Sequence, residues 1–464
     1  MTGVHLPAHR RHSADPLDAL EQRIAADKVE FVRFEQSDTH GIARSKTVPA
    51  RHVRHFAQSG LNMFLGILGV DAQFGVPTGT GYSEEVGYGD ARIRPDLGTY
   101  RVLPWADRTA RLLCEPHHLD GRPAMAAPRA VARALLGKLE DMGYRLLSGF
   151  EYEFYLVDRA TRQTVFPGLQ MFSTLRNAFD DAFLCQVLRG MIAIGVDVIT
   201  ANAEYGGGQV EINFAPGIGI DAADQAFTFK TGVKEIAQRQ GYLASFMTKP
   251  YTDQPSNGCH YHQSLLDVKG GRSAFAGQPG TLTDVARWWL GGQMAHATAL
   301  TALTAPTVNC GKRYKGSPMA PTNITWGVEN RSTAFRIIDL DNYNAHIENR
   351  IPCGSANPYL VMAGVLAAGI DGLSNKIEPT IEARGIAWGS PGVTGLPQRL
   401  EDALDAFEAD GALRAALGEE FVKLFLAVKR HEVAKARAAV ADYNLASFGD
   451  SVSDWERAEF FEFL

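Results

Sequence analysis

Apolar residues recur at helical spacing near the start of the chain, where Leu17, Leu20 and Ile24 predict a short amphipathic helix over 17–28. The rhythm then changes. Val29-Glu30-Phe31-Val32-Arg33-Phe34 alternates apolar and polar positions, roughly as a half-buried strand does. Short apolar runs broken by Gly and Pro continue to about residue 115, which predicts a small strand-dominated unit. Gly121 to Pro128 reads as its boundary, because a long helical pattern from Arg129 to Met142 follows. From there to Arg350, short strands carrying charged residues alternate with helices and Gly-rich turns. Ala- and Leu-rich stretches predict helices over Pro358–Leu373 and Leu400–Leu417, with one or two more around 419–442. There is no internal repeat and no low-complexity tract.

Composition narrows the class. With 464 residues, 45% of them hydrophobic, the chain can bury a large core, most simply in two domains. A net charge of −6 supplies no basic footprint, so no nucleic-acid partner is expected. No apolar run reaches the roughly 18–20 residues that a membrane-spanning helix needs, so no membrane association is expected either. Met1 to Pro16 carries Arg and His but lacks the apolar core of a signal peptide, and reads as a mobile tail. The five cysteines (Cys114, Cys185, Cys259, Cys310 and Cys353) are scattered and odd in number, without zinc or disulfide spacing. A reduced, cytoplasmic setting is expected.

Charge then turns up where a core should be. Phe150-Glu151-Tyr152-Glu153-Phe154 sets two carboxylates on one face of a strand and aromatics on the other. A solvated surface tolerates such a pair, and a divalent cation makes it favourable. Glu204 and Glu211 flank Tyr205-Gly206-Gly207-Gly208, a flexible turn able to bring both acids to one point. His260 and His262 are again two apart, in Asn257-Gly258-Cys259-His260-Tyr261-His262, and Glu348 sits in a run ending at Arg350. Each alone has an ordinary reading as a satisfied surface or core group. Five carboxylates and a histidine among otherwise buried strands are harder to explain that way. Oxygen-rich sites with few nitrogens suit Mg²⁺ or Mn²⁺ better than zinc.

Cations form a second set. Lys312, Arg313, Lys315, Arg331, Arg336 and Arg350 fall close together, interleaved with Trp326, Phe335 and Ile337. Planar guanidinium groups bind carboxylate and phosphate oxygens in pairs. Metal carboxylates combined with several arginines are what phosphoryl transfer requires. Walker-type and kinase signatures are missing, so the common nucleotide folds are not expected.

Taken in order, these segments resemble glutamine synthetase over about residues 28–460. The matching stretches are Gly149 to Phe154, Glu204 through Glu211, Asn257 to His262, Asn330-Arg331-Ser332 with Arg336, and Ile347-Glu348-Asn349-Arg350 leading to Ala356-Asn357-Pro358-Tyr359-Leu360. The resemblance implies an α+β fold: a β-grasp N-terminal domain (17–120) and a larger catalytic domain (121–464). It implies a homo-oligomer, a dodecamer of two stacked hexameric rings with active sites between neighbouring subunits. It also implies ATP and two or more Mg²⁺ or Mn²⁺ ions. Glu153, Glu204 and Glu211 would hold one metal near the acceptor, and Glu151, His260 and Glu348 the other on the nucleotide phosphates. Arg313 and Arg350 would bind glutamate, Arg331 and Arg336 the transferring phosphoryl group, and His262 and Ser264 would lie beside the nucleotide. The implied chemistry makes a γ-glutamyl phosphate from ATP and glutamate, whose carbonyl carbon an amine then attacks.

The departures from the family fall mostly on the amine side. Where glutamine synthetase has a Glu in the flap after its Lys-Arg pair, this chain has Met319 before Ala320-Pro321. Where the N-terminal domain lends an Asp to the neighbouring subunit's ammonium pocket, Asn62-Met63-Phe64 leads to Leu65. A buried ammonium ion without a carboxylate carries a large desolvation penalty. Met319 and Leu65 would instead line a pocket for a hydrocarbon group. Pro255-Ser256 replaces the family's Asn-Gly pair, which alters the contacts to the amino acid; a close analogue of glutamate is therefore an alternative acid. His346 stands where Arg is usual, on the nucleotide side. Residues 386–400 hold no Tyr for adenylylation. The expected activity is a γ-glutamylamide synthetase acting on a primary alkyl or aryl amine. The rivals are a polyamine or ethanolamine ligase, with Glu84, Glu85 and Glu329 as candidate acids, then true glutamine synthetase, then a non-catalytic structural relative resembling lengsin.

Overall fold

The computed structural model describes residues 15–168, 170–175, 179–316, 319–340 and 343–464. Helix α1 (Pro16–Ala26) starts one residue before the helical pattern, because Asp15 caps it by accepting from the Leu17 N–H at 3.0 Å. Asp15 and Pro16, taken above as tail, therefore belong to the helix; the rest of that stretch, 1–14, lies outside the described residues. Strand β1 (Phe31–Ser37) pairs with β2 (Ala43–Pro49) in a hairpin. It starts two residues later and ends three residues later than its alternation suggested, and most of it is buried on both faces. After α2 (Val53–Ser59) come β3 (Leu61–Phe64), β4 (Asp90–Pro95), β5 (Arg101–Val102) and β6 (Thr109–His117). These strands make one mixed sheet in the order β2-β1-β6-β4-β3, with β5 also on β6 and β1 parallel to β6. Leu20, Ile24, Val32, Phe34, Ile93 and Leu112 fill the core beneath it.

Residues 118–127 lie between this sheet and the elements of a second one. Helix α3 (Pro128–Asp141) leads into β7 (Tyr144–Asp158), a 15-residue strand at the centre of nine. Around it lie α4 (Cys185–Ile194), β8 (Val198–Ala203), β9 (Gln209–Phe214), β10 (Gly217–Ile218), α5 (Asp221–Arg239) and β11 (Tyr242–Ser245). Next come β12 (Cys259–Asp267), α6 (Asp284–Ala295), α7 (Ala297–Thr304), β13 (Trp326–Val328), β14 (Phe335–Ile338) and β15 (His346–Asn349). The sheet order is β13-β14-β15-β12-β7-β9-β8, and one large core joins its apolar face to the helices.

The C-terminal helices are α8 (Pro358–Asn375), α9 (Leu400–Ala409), α10 (Gly411–Leu417), α11 (Glu419–Ala439) and α12 (Asp454–Phe460). The single helix expected over Leu400–Leu417 is broken at Asp410. That residue leaves helical geometry, caps α10 through Leu413 N–H at 3.0 Å, and accepts from His296 Nδ1 at 2.6 Å. Helix α12 was not anticipated; a capping box of Ser453 and Glu456 starts it. Among the described residues no helix is long and apolar enough to cross a membrane.

Candidate active site

Register, more than proximity in sequence, assembles the charged groups. Successive side chains of a strand point to opposite faces, so Glu151 and Glu153 share one face of β7 while Phe150, Tyr152 and Phe154 are buried on the other. On β12, His260 lies opposite Glu151. On β15, Glu348 lies opposite His262, and Arg336 of β14 lies opposite Glu348. On the other side of β7, Glu211 and Asn213 of β9 face Glu153 and Glu151, and Asn202 of β8 faces Glu211. One sheet face thus carries acids, histidines and an arginine across five strands, with Asn202 on a sixth.

Glu151, His260 and Glu348 converge. Their ligand atoms lie within 4.8 Å of one another, with His260 Nδ1 2.8 Å from Glu151 Oε1 and 3.4 Å from Glu348 Oε1. Burial opposes ionisation of Glu151, yet the neighbouring His260 and His262 hold its carboxyl well below the usual range. Burial acts the same way on Glu348, but the charge of Arg350, helped by both histidines, pulls it down to about 2. His260 is kept neutral by burial and by Arg350. Two ionised carboxylates and a neutral imidazole fit a divalent cation that takes oxygen ligands and one nitrogen.

Glu153, Glu204 and Glu211 do not close to that spacing, but they sense one another. Burial, followed by the charges of Glu151, Glu153 and Glu204, pushes Glu211 up to about 11. Glu204 rises to about 7 through burial and Glu153, and burial raises Glu153 as well. This is a surplus of negative charge that a cation would relieve. Glu153 Oε2 already accepts from the Gly258 N–H at 2.7 Å and Gln209 Nε2 at 3.1 Å, and Glu204 Oε1 accepts from Asn202 Nδ2 at 2.9 Å. The glycine turn between Glu204 and Glu211 works by close approach and, at Gly208, also by a left-handed φ of 77°. A Cβ at Gly206 would fall 2.1 Å from the Tyr155 hydroxyl oxygen, and one at Gly208 2.7 Å from the Val165 carbonyl oxygen.

Gly258 sits between the two sets. A Cβ there would come 3.0 Å from Arg313 Nη2, and 3.5 Å from both Glu153 Oε1 and His260 Nε2. Arg313 is buried and anchored, donating from Nη1 to the Arg350 and Ile351 carbonyls at 3.0 and 3.1 Å. Arg350 is buried too. Its Nη1 meets Glu348 Oε1 at 2.5 Å, its Nη2 donates to the Met319 carbonyl at 3.0 Å, and its Nε has no partner. Arg336 pairs with Glu348 at 3.3 Å and with Glu329. Arg331 is solvent-exposed on the turn after β13, and its charge reaches Glu329, the ion-pair partner of Arg336.

The two residues expected on the amine side part company. Met319 is tied to the centre through its carbonyl, with a half-exposed side chain and a left-handed φ of 59°. Leu65 is not brought there. It is buried with Leu68, Tyr82, Ala91, Ala127, Leu424 and Val428, because the segment after β3 folds back against α3 and α11. Leu65 is a core residue within this chain; the pocket expected for it is one shared with a neighbouring subunit.

A cavity of about 590 Å³ opens beside Glu151. His262, Ser264 and His346 line it together with Gly149, Asn213 and Tyr343. His262 Nε2 lies 3.4 Å from Glu151 Oε2, and the rings of His262 and His346 stand 5.3 Å apart. Burial and the neighbouring His262 keep His346 neutral. The volume suits a nucleoside-sized ligand. Gln209 and Asn257 were missed from sequence: Gln209 Nε2 bridges Glu153 and Asn257 Oδ1 at 3.1 and 2.9 Å. A signal did exist, since Gln209 stands two residues before Glu211 on the same strand face.

Comparison with known proteins agrees with this geometry. Residues 125–448 match the glutamine synthetase catalytic domain. Lengsin of Homo sapiens is 37% identical over 433 residues, 89% of this chain and 82% of that protein. The glutamate–isopropylamine ligase of a Pseudomonas species is 31% identical over 92% of this chain and 97% of that one. The γ-glutamylethanolamide synthetase GlnA4 of Streptomyces coelicolor is 33% identical, covering 95% and 97%. A solved structure described as apo GmaS without ligand superposes with a TM-score of 0.82 at 30% identity, covering 95% of this chain and 98% of that one. With its catalytic-domain match, its fold and its face of acids and histidines, the chain belongs to the glutamine synthetase family.

Proposed function

We propose that this protein joins glutamate to a primary amine carrying an apolar alkyl or aryl group, with cleavage of ATP to ADP and phosphate. Arg313 and Arg350 hold the glutamate carboxylates, and the cavity lined by His262, Ser264 and His346 takes the nucleotide. The γ-carboxylate oxygen attacks the terminal phosphorus of ATP, and ADP leaves. The amine nitrogen then attacks the carbonyl carbon, the bond to the phosphate oxygen breaks, and the nitrogen gives up a proton to Glu204. Arg331 and Arg336 neutralise the phosphoryl oxygens in transfer. Mg²⁺ or Mn²⁺ held by Glu151, His260 and Glu348, and by Glu153, Glu204 and Glu211, would supply further charge neutralisation.

Met319 carries the organic-amine reading. It stands where the family places an acid, and its carbonyl is bonded to Arg350 beside Glu348. An apolar side chain at that point disfavours ammonium and favours a hydrocarbon substituent. The names of the isopropylamine and ethanolamide relatives support an organic amine, and leave open which one. The likeness to lengsin favours a second, non-catalytic reading. Retention of both acid sets and of Arg313 and Arg350 on one face speaks for catalysis. We further propose a cytoplasmic homo-oligomer, a dodecamer of two rings, with a small domain over 17–120 and a catalytic domain from 121. The free cysteines and the exposed Phe74, Tyr88, Phe172 and Tyr205 support that setting.

The test is phosphate release from ATP with glutamate and Mg²⁺, screened against isopropylamine, aniline, ethanolamine, putrescine and ammonium. Turnover with an organic amine and little with ammonium is expected. Turnover with ammonium alone would reject the reading of Met319, and no turnover with any acceptor would favour the non-catalytic one.

A further inference from the structure

The turn after β13 is built around one carboxylate. Glu329 has a left-handed φ of 48°, and Asp339, which follows β14, has one of 55°. Side chains take up that backbone at a cost in strain, and such positions gather at active sites. Both residues are locked in place. The Glu329 N–H donates to the Ile337 carbonyl at 3.0 Å, and the Asp339 N–H donates to Glu329 Oε1 at 3.2 Å. Asn330 Nδ2 fixes the turn from its other side, donating to the Gly385 carbonyl at 2.8 Å.

The second oxygen of Glu329 goes to Arg336. Oε2 pairs with Arg336 Nη2, while Arg336 Nη1 reaches Glu348 Oε2 at 3.3 Å. The guanidinium thus bridges two carboxylates with unequal duties. Glu348 belongs to the convergent set with Glu151 and His260, and its Oε1 already meets Arg350 Nη1 at 2.5 Å. A cation taken up by that set draws on Glu348 and weakens its hold on Arg336. Glu329 lies outside both acid sets, so it keeps its hold. A long, flexible side chain acts at a defined point only when a fixed partner limits its rotamers. Arg331 bears on the same carboxylate from the solvent side. Asp339 lines the cavity beside Glu151, so Glu329 also links a wall of that cavity to Arg336. Its charge is engaged by arginine, which leaves it a poor partner for the second charge of a polyamine.

We propose that Glu329 is a positioning residue that holds Arg336 for phosphoryl transfer, which rests on the role proposed above for Arg336.

A double-mutant cycle tests it. Glu329→Ala, Arg336→Ala and the double variant are assayed for phosphate release at saturating glutamate and the best amine of the screen, with Mg²⁺·ATP varied. The Glu329 side chain is half-exposed, and a thermal melt of each variant checks that it is folded. Glu329→Ala should lower kcat by roughly tenfold or more and change KM for ATP by less than about threefold, because the contact it supports strengthens in the transition state. With Arg336 removed, Glu329 has nothing left to position, so the double variant should fall within about twofold of Arg336→Ala. A merely structural turn would instead make the two losses multiply. A smaller loss from Glu329→Ala, a change confined to KM, or losses that multiply would overturn the proposal and leave the role of Arg336 standing. Wild-type kcat in Arg336→Ala, or a wild type that turns over no amine, would overturn the role of Arg336 and this proposal with it.

Discussion

The two sets of acids share one face of one sheet and differ in what surrounds them. Glu151 and Glu348 stand among His260, His262, Arg350 and Arg336, so their charge is balanced within the protein. Glu153, Glu204 and Glu211 stand mainly among one another, with amide and backbone donors from Gln209, Asn202 and Gly258. The first set is pre-paired and held rigid; the second stores repulsion that a bound cation releases. Before any ligand arrives, the face thus runs from an ionised, internally paired end to one whose acids are pushed to hold protons.

Stability separates the two ends most sharply. Glu348→Gln removes the partner of a buried Arg350 and should cost about 3–5 kcal/mol in urea unfolding of the metal-free protein. Glu211→Gln, replacing a carboxyl whose pKa is pushed up to about 11, should raise the free energy of unfolding at pH 7 rather than lower it. Equal costs would erase the distinction. Activity follows another logic, because both ends serve turnover in the proposed reaction. Glu204→Ala should lower kcat by about 10²–10³-fold with an unchanged particle size by gel filtration; near-normal kcat would remove Glu204 from the site. Gly258→Ala touches both ends, since its Cβ would crowd Arg313, Glu153 and His260. A loss of roughly tenfold in kcat/KM is expected, with little change in Tm.

The most gradual effect is a slope with pH. Glu204 and Glu211 keep protons in the folded, metal-free state that the unfolded chain has released above about pH 4.3. The folded state then binds more protons, so stability falls as pH rises from about 5 to 8, by about 1.4 kcal/mol per unit for each proton held. Glu348, with its lowered pKa, contributes in the opposite sense: its stabilisation is present above about pH 4.3 and lost as pH falls toward 2. Saturating Mg²⁺ should flatten the slope between pH 5 and 8, and thermal melts with and without the ion would show it. A slope unaffected by Mg²⁺ would mean that the acids hold no cation.

Much of this face was legible because strand periodicity is local. Glu151 with Glu153, and His260 with His262, could be read as same-face pairs from their two-residue spacing alone, and the ordered motifs identified the family. What escaped depends on contacts between distant parts of the chain. Leu65 lies in the core because Leu424 and Val428 of α11 come to meet it, which no local pattern announces. The glycines at 206–208 read as flexible, yet they exist to let the turn pack against Tyr155 and Val165. Asp410 breaks a helix of good apolar rhythm by bonding to His296, over a hundred residues earlier. Side chains set by such packing stay silent until the fold is seen.

The central claim, that Met319 marks a site for an organic amine, is tested most directly by competition. Wild type and Met319→Glu are given glutamate, Mg²⁺·ATP and equal concentrations of isopropylamine and ammonium, and the products are quantified by mass spectrometry. The account predicts that wild type forms mostly the isopropylamide and that Met319→Glu shifts product toward glutamine by several-fold. Glutamine as the main product of the wild-type protein would contradict it.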